Sequence, residues 1–292
     1  ACLLARSGEL EGALEYHKRV PELAAHTLIS NQIAYLVHAR FDIAQAGGDC
    51  DRILGWSKSG RFAPLLSQSD ILTIMDIIWT DRWVILTVSG VSGLLFLFSR
   101  YVFHERFSRR SPEAETLKNR LHELALRSIL VADRIQRTAM LHVIDANPCY
   151  IEWNDSPKHV NVVDSRLIMS AFSRRLSDDH EADLLVAPEA VLMLRLVALS
   201  TDVDTQDLLP GVIQCAIKLG WAVLLSPDFD NDIGTFVQVL FQALRMLISP
   251  THTRPYRLLP HIRTQIVEVI HESDALDLTA HALIHVNPSS SP

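Results

Sequence analysis

Between Trp83 and Phe103 the chain reads WVILTVSGVSGLLFLFSRYVF, and no other stretch limits its folding options as tightly. No charge occurs from Trp83 to Ser99. Arg100 can reach headgroup level along its aliphatic stem, so the segment attains the roughly 20 residues that a spanning helix needs. The expectation is one transmembrane helix over 82–103. A buried helix of a large soluble domain is the competing reading. Such a helix normally carries a polar stripe, whereas only glycines and small hydroxyls interrupt this run.

The flanks agree with a span. Trp79 and Trp83 precede it and Tyr101 closes it, as amphipathic rings do at a membrane interface. Beyond it come Arg100, His104, Arg106, Arg109, Arg110, Lys118 and Arg120, while the approach holds Asp70, Asp76 and Asp81 against Arg82. By the positive-inside rule the C-terminal part faces the cytoplasm or, in a mitochondrion, the matrix. Ser89 and Gly93 stand four apart, with Gly90 and Ser92 beside them, and form a helix-packing face that admits another backbone closely. Small residues are also common in spanning helices generally. Upstream, Ile71, Ile74, Met75 and Ile78 keep helical spacing, as in a helix lying on the bilayer surface.

Composition excludes little else. The 292 residues leave room for two modest domains beside a span. A net charge of −7, from 27 basic and 34 acidic residues, gives no global nucleic-acid footprint. Cys2, Cys50, Cys149 and Cys215 are scattered, with no CxxC pair, so neither a zinc cage nor a disulfide framework is expected. The 13 histidines form no HExxH motif. The start at Ala1 fits a mature form with its leader removed and equally fits a fragment.

Along the chain, 1–55 reads as a helical hairpin broken at Pro21, and 56–81 as a connector with the interfacial helix. After the span, Ser111-Pro112-Glu113 opens a charged helix over 111–137. Lys118, Arg120, Arg127, Arg134 and Arg137 are assigned to its solvated face, with an RNA or lipid contact as the alternative. From 138 to 286 strand-like apolar runs such as LHVID, LVALS and WAVLL alternate with helical stretches. That pattern predicts an α/β domain with a mostly parallel sheet. Residues 287–292 form a polar tail.

In such a sheet, functional groups gather beyond the carboxyl ends of the strands. Asp145 ends LHVID, Asp202 and Asp204 follow LVALST, and Asp228, Asp230 and Asp232 follow WAVLLSP. Clustered carboxylates suit Mg²⁺ or Mn²⁺ and metal-assisted phosphodiester cleavage. At VIDAN (143–147) and LVALSTDVDTQDLLPGVIQCAIKLGWAVLL (196–225) the chain resembles the PIN and NYN ribonuclease superfamily over about 140–226. The resemblance implies catalytic and metal-binding roles for Asp145, Glu189, Asp202 and Asp204, with Asp183 a weaker choice for the middle acid and Asn147 and Thr201 as polar support. Asp202 or Asp204 capping the helix that follows is the plainer explanation. ARSGELEGALEYHKRV (5–20) resembles one hairpin of the tetratricopeptide and pentatricopeptide repeat families, although a solenoid needs about three repeats. Neither GxSxG, GxxxxGK[ST] nor GxGxxG occurs.

The functional expectation is a single-span, non-enzymatic accessory subunit of a membrane complex that binds other membrane subunits and lipid. A mitochondrial inner-membrane assembly such as a respiratory complex or ATP synthase is the specific form. No cofactor is expected. The alternative is a membrane-anchored Mg²⁺- or Mn²⁺-dependent ribonuclease with RNA as partner. A third possibility is a receptor that recruits a soluble protein through Pro112 to Arg137.

Overall fold

The computed structural model describes residues 30, 34, 68–87, 90–103, 112–145, 158–177, 187–225, 233–249 and 257–285. The described residues contain ten α-helices and no strand. The chain divides into two compact units, Ala1–Trp153 and Asn154–Pro292. The N-terminal hairpin, apart from buried Ser30 and Ala34, lies outside the described residues, as do the repeat-like stretch 5–20 and the tail.

In the first unit, α1 (Gln68–Thr80) buries Ile71 and Met75, one turn apart, and starts with Asp70 near its positive end. A 3-10 helix follows at Arg82–Leu86, then a turn at Thr87, and Gly90 adopts φ 97°. Only glycine takes that conformation without strain, and it interrupts the helical path just before α2 (Ser92–Phe103). The continuous helix expected over 82–103 is therefore replaced by two shorter pieces. At 12 residues, α2 rises only about 18 Å, short of the roughly 30 Å hydrocarbon core. Its apolar residues are used internally: Leu95, Phe96, Leu97, Phe98 and Val102 are buried, and α2 packs on α3 (Pro112–Ile129) and α4 (Arg134–Asp145).

The charged helix expected over 111–137 likewise divides. It ends at Ile129 and restarts at Arg134, where the Asp133 carboxylate accepts a hydrogen bond from the Gln136 backbone N–H at 2.8 Å as an N-cap. Of the basic residues assigned to its solvated face, Arg134 is exposed and Lys118 and Arg120 are partly so, whereas Arg127 and Arg137 are enclosed. Every residue from Leu121 to Leu130 is buried, and so is Arg137.

The second unit corrects the α/β expectation and, with it, the PIN/NYN resemblance. Its elements are α5 (Val162–Ser177), α6 (Ala187–Ser200), a 3-10 helix (Val203–Leu208), α7 (Leu209–Leu224), α8 (Ile233–Ile248), α9 (Pro260–Glu272) and α10 (Ala275–His285). The runs taken for strands are pieces of longer helices: LHVID closes α4, LVALS closes α6 and WAVLL runs to the end of α7. A short apolar run fits a buried helix as well as a strand. Gly220 does not end α7, as a strand boundary would require. A Cβ there would stand 2.9 Å from Leu240 and from Leu278, so the missing side chain lets α8 and α10 approach. Helix α7 is the hub, touching α5, α6, α8, α9 and α10.

Candidate functional site

The carboxylates proposed as metal ligands belong to different elements. Asp145 is exposed at the end of α4 in the first unit, whereas Asp202 and Asp204 belong to the second. Glu189 falls in the first turn of α6, and Asn147 and Asp183, like Asp228, Asp230 and Asp232, lie outside the described residues. Thr201 is buried and donates to the Val197 carbonyl at 3.0 Å, one turn back. Among the described residues no three His, Cys, Asp or Glu side chains converge on a cation-sized position.

Asp202 has a structural use. Its carboxylate accepts from the Asp204 N–H at 3.0 Å, and Thr205 Oγ1 receives the Asp202 N–H at 3.0 Å, forming a capping box on the 3-10 helix. The other carboxylate oxygen lies 2.9 Å from His159 Nε2. Further bonds tie this turn to its surroundings. Ser165 and Thr205 share a buried hydroxyl bond at 3.0 Å, and Arg166 grips Asp207 at 2.7 and 3.0 Å. Gln206 donates to the Arg257 carbonyl and accepts from the Leu259 N–H. The collar pins the entry of α7 to α5 and to the approach of α9.

In the first unit, Glu123 Oε1 accepts from Arg82 Nε at 3.0 Å and from Arg127 Nε at 3.1 Å, with Arg127 and Glu123 fully enclosed. Nearby, Ser92 and Ser128 hydroxyls meet at 2.9 Å, and this bond joins α2 to α3 beside buried Gly93. Ser89 lies outside the described residues. Trp79 receives the Arg82 guanidinium over its ring at 4.3 Å and that of Arg120 at 5.4 Å. Burial lowers the pKa of His142, partly opposed by the negative charge of Asp145.

The outward surface of the last hairpin is of another kind. Helices α9 and α10 hold to the core through Ile262, Ile266, Leu278 and Ala282. The turn between them is fixed by Asp274 at φ 50° and by Trp221 Nε1 donating to the Ser273 carbonyl at 3.1 Å. Trp221 also meets His281 edge-on at 5.4 Å. Opposite that inner face, Leu276, Ala280 and Leu283 follow i, i+4, i+7 spacing in water, with Leu276 81% and Leu283 69% exposed. The same hairpin carries exposed Glu268 and Glu272 on α9, Asp274 in the turn and Asp277 on α10, and no Lys or Arg follows Arg263.

The chain matches no protein-family model, no curated protein and no solved structure. Functional inference therefore rests on its own chemistry. The α/β expectation over 138–286 makes Leu259 to Glu272 a helix and LTAHALIHV an edge strand, and so overlooks the stripe. The available signal was that LDLTAHAL has too many apolar residues for a single buried face.

Proposed function

We propose that this protein is a structural, accessory subunit of a multi-protein complex, contributing helical surfaces on which other subunits assemble. The observation that carries the reading is the leucine stripe of α10. Exposed apolar residues aligned on one helix, opposite a well-packed inner face, are a feature of protein interaction surfaces. The described residues contain helices and no strand, and α10 sets one apolar face outward, which suits such a role.

A membrane setting is the second reading, favoured by one helical stretch, Val203–Leu224, in which the 3-10 turn and α7 together are long and apolar enough to cross a bilayer. Burial of more than half of it and its position as the hub of the second unit also fit a core helix. The specific form is an inner mitochondrial membrane subunit of a respiratory complex or ATP synthase.

Native separation of detergent-extracted membranes, with quantification of co-migrating chains, tests the main reading. The expected result is a particle with fixed stoichiometry; migration as a free chain in every fraction removes it. Alkaline carbonate washing then decides the setting: retention in the pellet supports an integral subunit, and release supports attachment through protein contacts alone.

A further inference from the structure

We infer that the outer face of α10 receives a basic amphipathic helix from a partner protein, an assignment that rests on the accessory-subunit reading and gives it a partner class. The apolar contact is Leu276, Ala280 and Leu283, with the small alanine at its centre allowing close approach of another helix. The charge around it selects the occupant.

From Thr264 to His285 the chain has four carboxylates, Glu268, Glu272, Asp274 and Asp277, and no Lys or Arg. Helix stability explains only some of them. Asp274 and Asp277 stand at the start of α10, where the helix dipole favours acids, but Glu268 and Glu272 stand near the end of α9, where it disfavours them. The acids also belong to a strongly asymmetric chain. The second unit holds 17 acidic and 10 basic residues, so it carries the whole net charge of −7, while the first holds 17 of each.

This field separates three possible occupants of the stripe. A second copy would bring its own Glu272, Asp274 and Asp277 toward the same acids, and like charges oppose that pairing. An anionic bilayer is repelled for the same reason. A helix with leucine at i, i+4, i+7 and lysine or arginine on its flanks satisfies both apolar and acidic components, and the charges steer its approach.

The test uses the full chain and a fluorescein-labelled peptide of about 18 residues, long enough for several helical turns, with leucines at that spacing and lysines flanking them. A companion peptide has glutamate in place of each lysine. Fluorescence anisotropy should show binding of the lysine peptide, weakened by salt, and none of the glutamate peptide. Leu276→Asp with Leu283→Asp should reduce affinity by about tenfold or more, as loss of a central apolar anchor does. Glu272→Lys with Asp277→Lys should weaken binding by about tenfold and flatten its salt dependence. These positions are exposed, and circular dichroism melts confirm that the variants fold.

Equal binding of the two peptides, or unchanged affinity in the leucine variant, overturns the inference. It is also overturned if sedimentation shows a dimer abolished by the leucine variant, or capture by phosphatidylserine vesicles that the leucine variant abolishes. A stoichiometric native particle alongside failed peptide binding removes only this inference. Its absence alongside successful peptide binding removes the accessory-subunit reading and leaves the docking face.

Discussion

Each unit has a long helix deep in its packing, and the two helices could hardly differ more in composition. Helix α3 buries His122, Glu123, Arg127 and Ser128. Helix α7 buries Leu209, Val212, Ile213, Ala216, Ile217 and Val223. A charged helix can occupy an interior only if its ions find partners inside, and Glu123 provides one by bonding to two arginines from different elements. An apolar helix needs only matching shapes, and α7 obtains them from five neighbouring helices. The contrast separates hydropathy from location: the helix with membrane-like composition is a hub, and the helix with surface-like composition is enclosed.

The sharpest way to break that contrast is to remove the shared carboxylate. Glu123→Ala should destabilise the first unit by about 3–5 kcal/mol, because two guanidiniums lose the anion between them. Urea unfolding of the full chain, followed by probes in each unit, should show the loss in the first transition only. Replacing the trio together, Arg82→Met, Glu123→Leu and Arg127→Met, should restore most of the stability, since packed apolar side chains often match a buried ion pair. If the single and triple variants lose equally, the interior of α3 depends on its charges as such. In α7, Ile213→Ala should cost about 2–5 kcal/mol in the second unit through lost burial and a residual cavity. The matching triple experiment has no counterpart there, because among the described residues no ion pair holds that helix.

The sequence conveyed helicity only where the pattern was amphipathic. The spacing of Ile71 and Met75 identifies α1 correctly, and Pro112 starts α3 as expected. Asp202 also behaves as the alternative reading allowed, by capping the turn that follows. The failures occur where burial surrounds a helix. LVALS and WAVLL lack a polar face because neighbouring helices cover several sides, so their periodicity disappears and strands look plausible. Arg127 and Arg137 fail in the opposite direction. Glu123 and Arg127 stand one turn apart on α3, but the enclosure of both arginines comes from the helices packed over them, which local spacing does not encode. Gly90 carried a legible signal, since glycine permits the left-handed turn that interrupts the expected span. Within the supposed ligand set, linear order placed Asp145 and Asp202 on one sheet edge, and the described residues, all helical or in turns, contain no sheet.

A subtler variant sharpens what apolar packing in α7 demands. Gly220→Ala places a methyl group 2.9 Å from the ends of Leu240 and Leu278, both almost fully buried. Overpacking of this kind costs about 1–3 kcal/mol. Alanine returns about 1 kcal/mol through its helix propensity, leaving a net loss of about 1 kcal/mol. Thermal melting should therefore fall by a few degrees. Adding Leu278→Val should recover part of the loss by making room, whereas a Gly220→Ala variant more stable than the parent would show that α8 and α10 yield freely.

The smallest effect returns to the first unit and to a charge kept out of its interior. Burial holds the His142 pKa below the ordinary histidine value. The unfolded chain therefore binds the proton more readily, with its histidines titrating near pH 6.5. Sign follows from linkage: stability from neutral His142 is present above that value and declines as pH falls from there toward the folded pKa. Because His142 is only half-buried, solvent screening keeps the effect below about 1 kcal/mol. Asp145, three residues later, opposes the shift by attracting the protonated ring. Asp145→Asn should lower the folded pKa further and widen the pH window, while His142→Gln should remove this component of the slope. Denaturation midpoints between pH 5 and 7.5 measure both. A steeper slope after His142→Gln, or a narrower window after Asp145→Asn, would show that this end of α4 stabilises the imidazolium instead of excluding it.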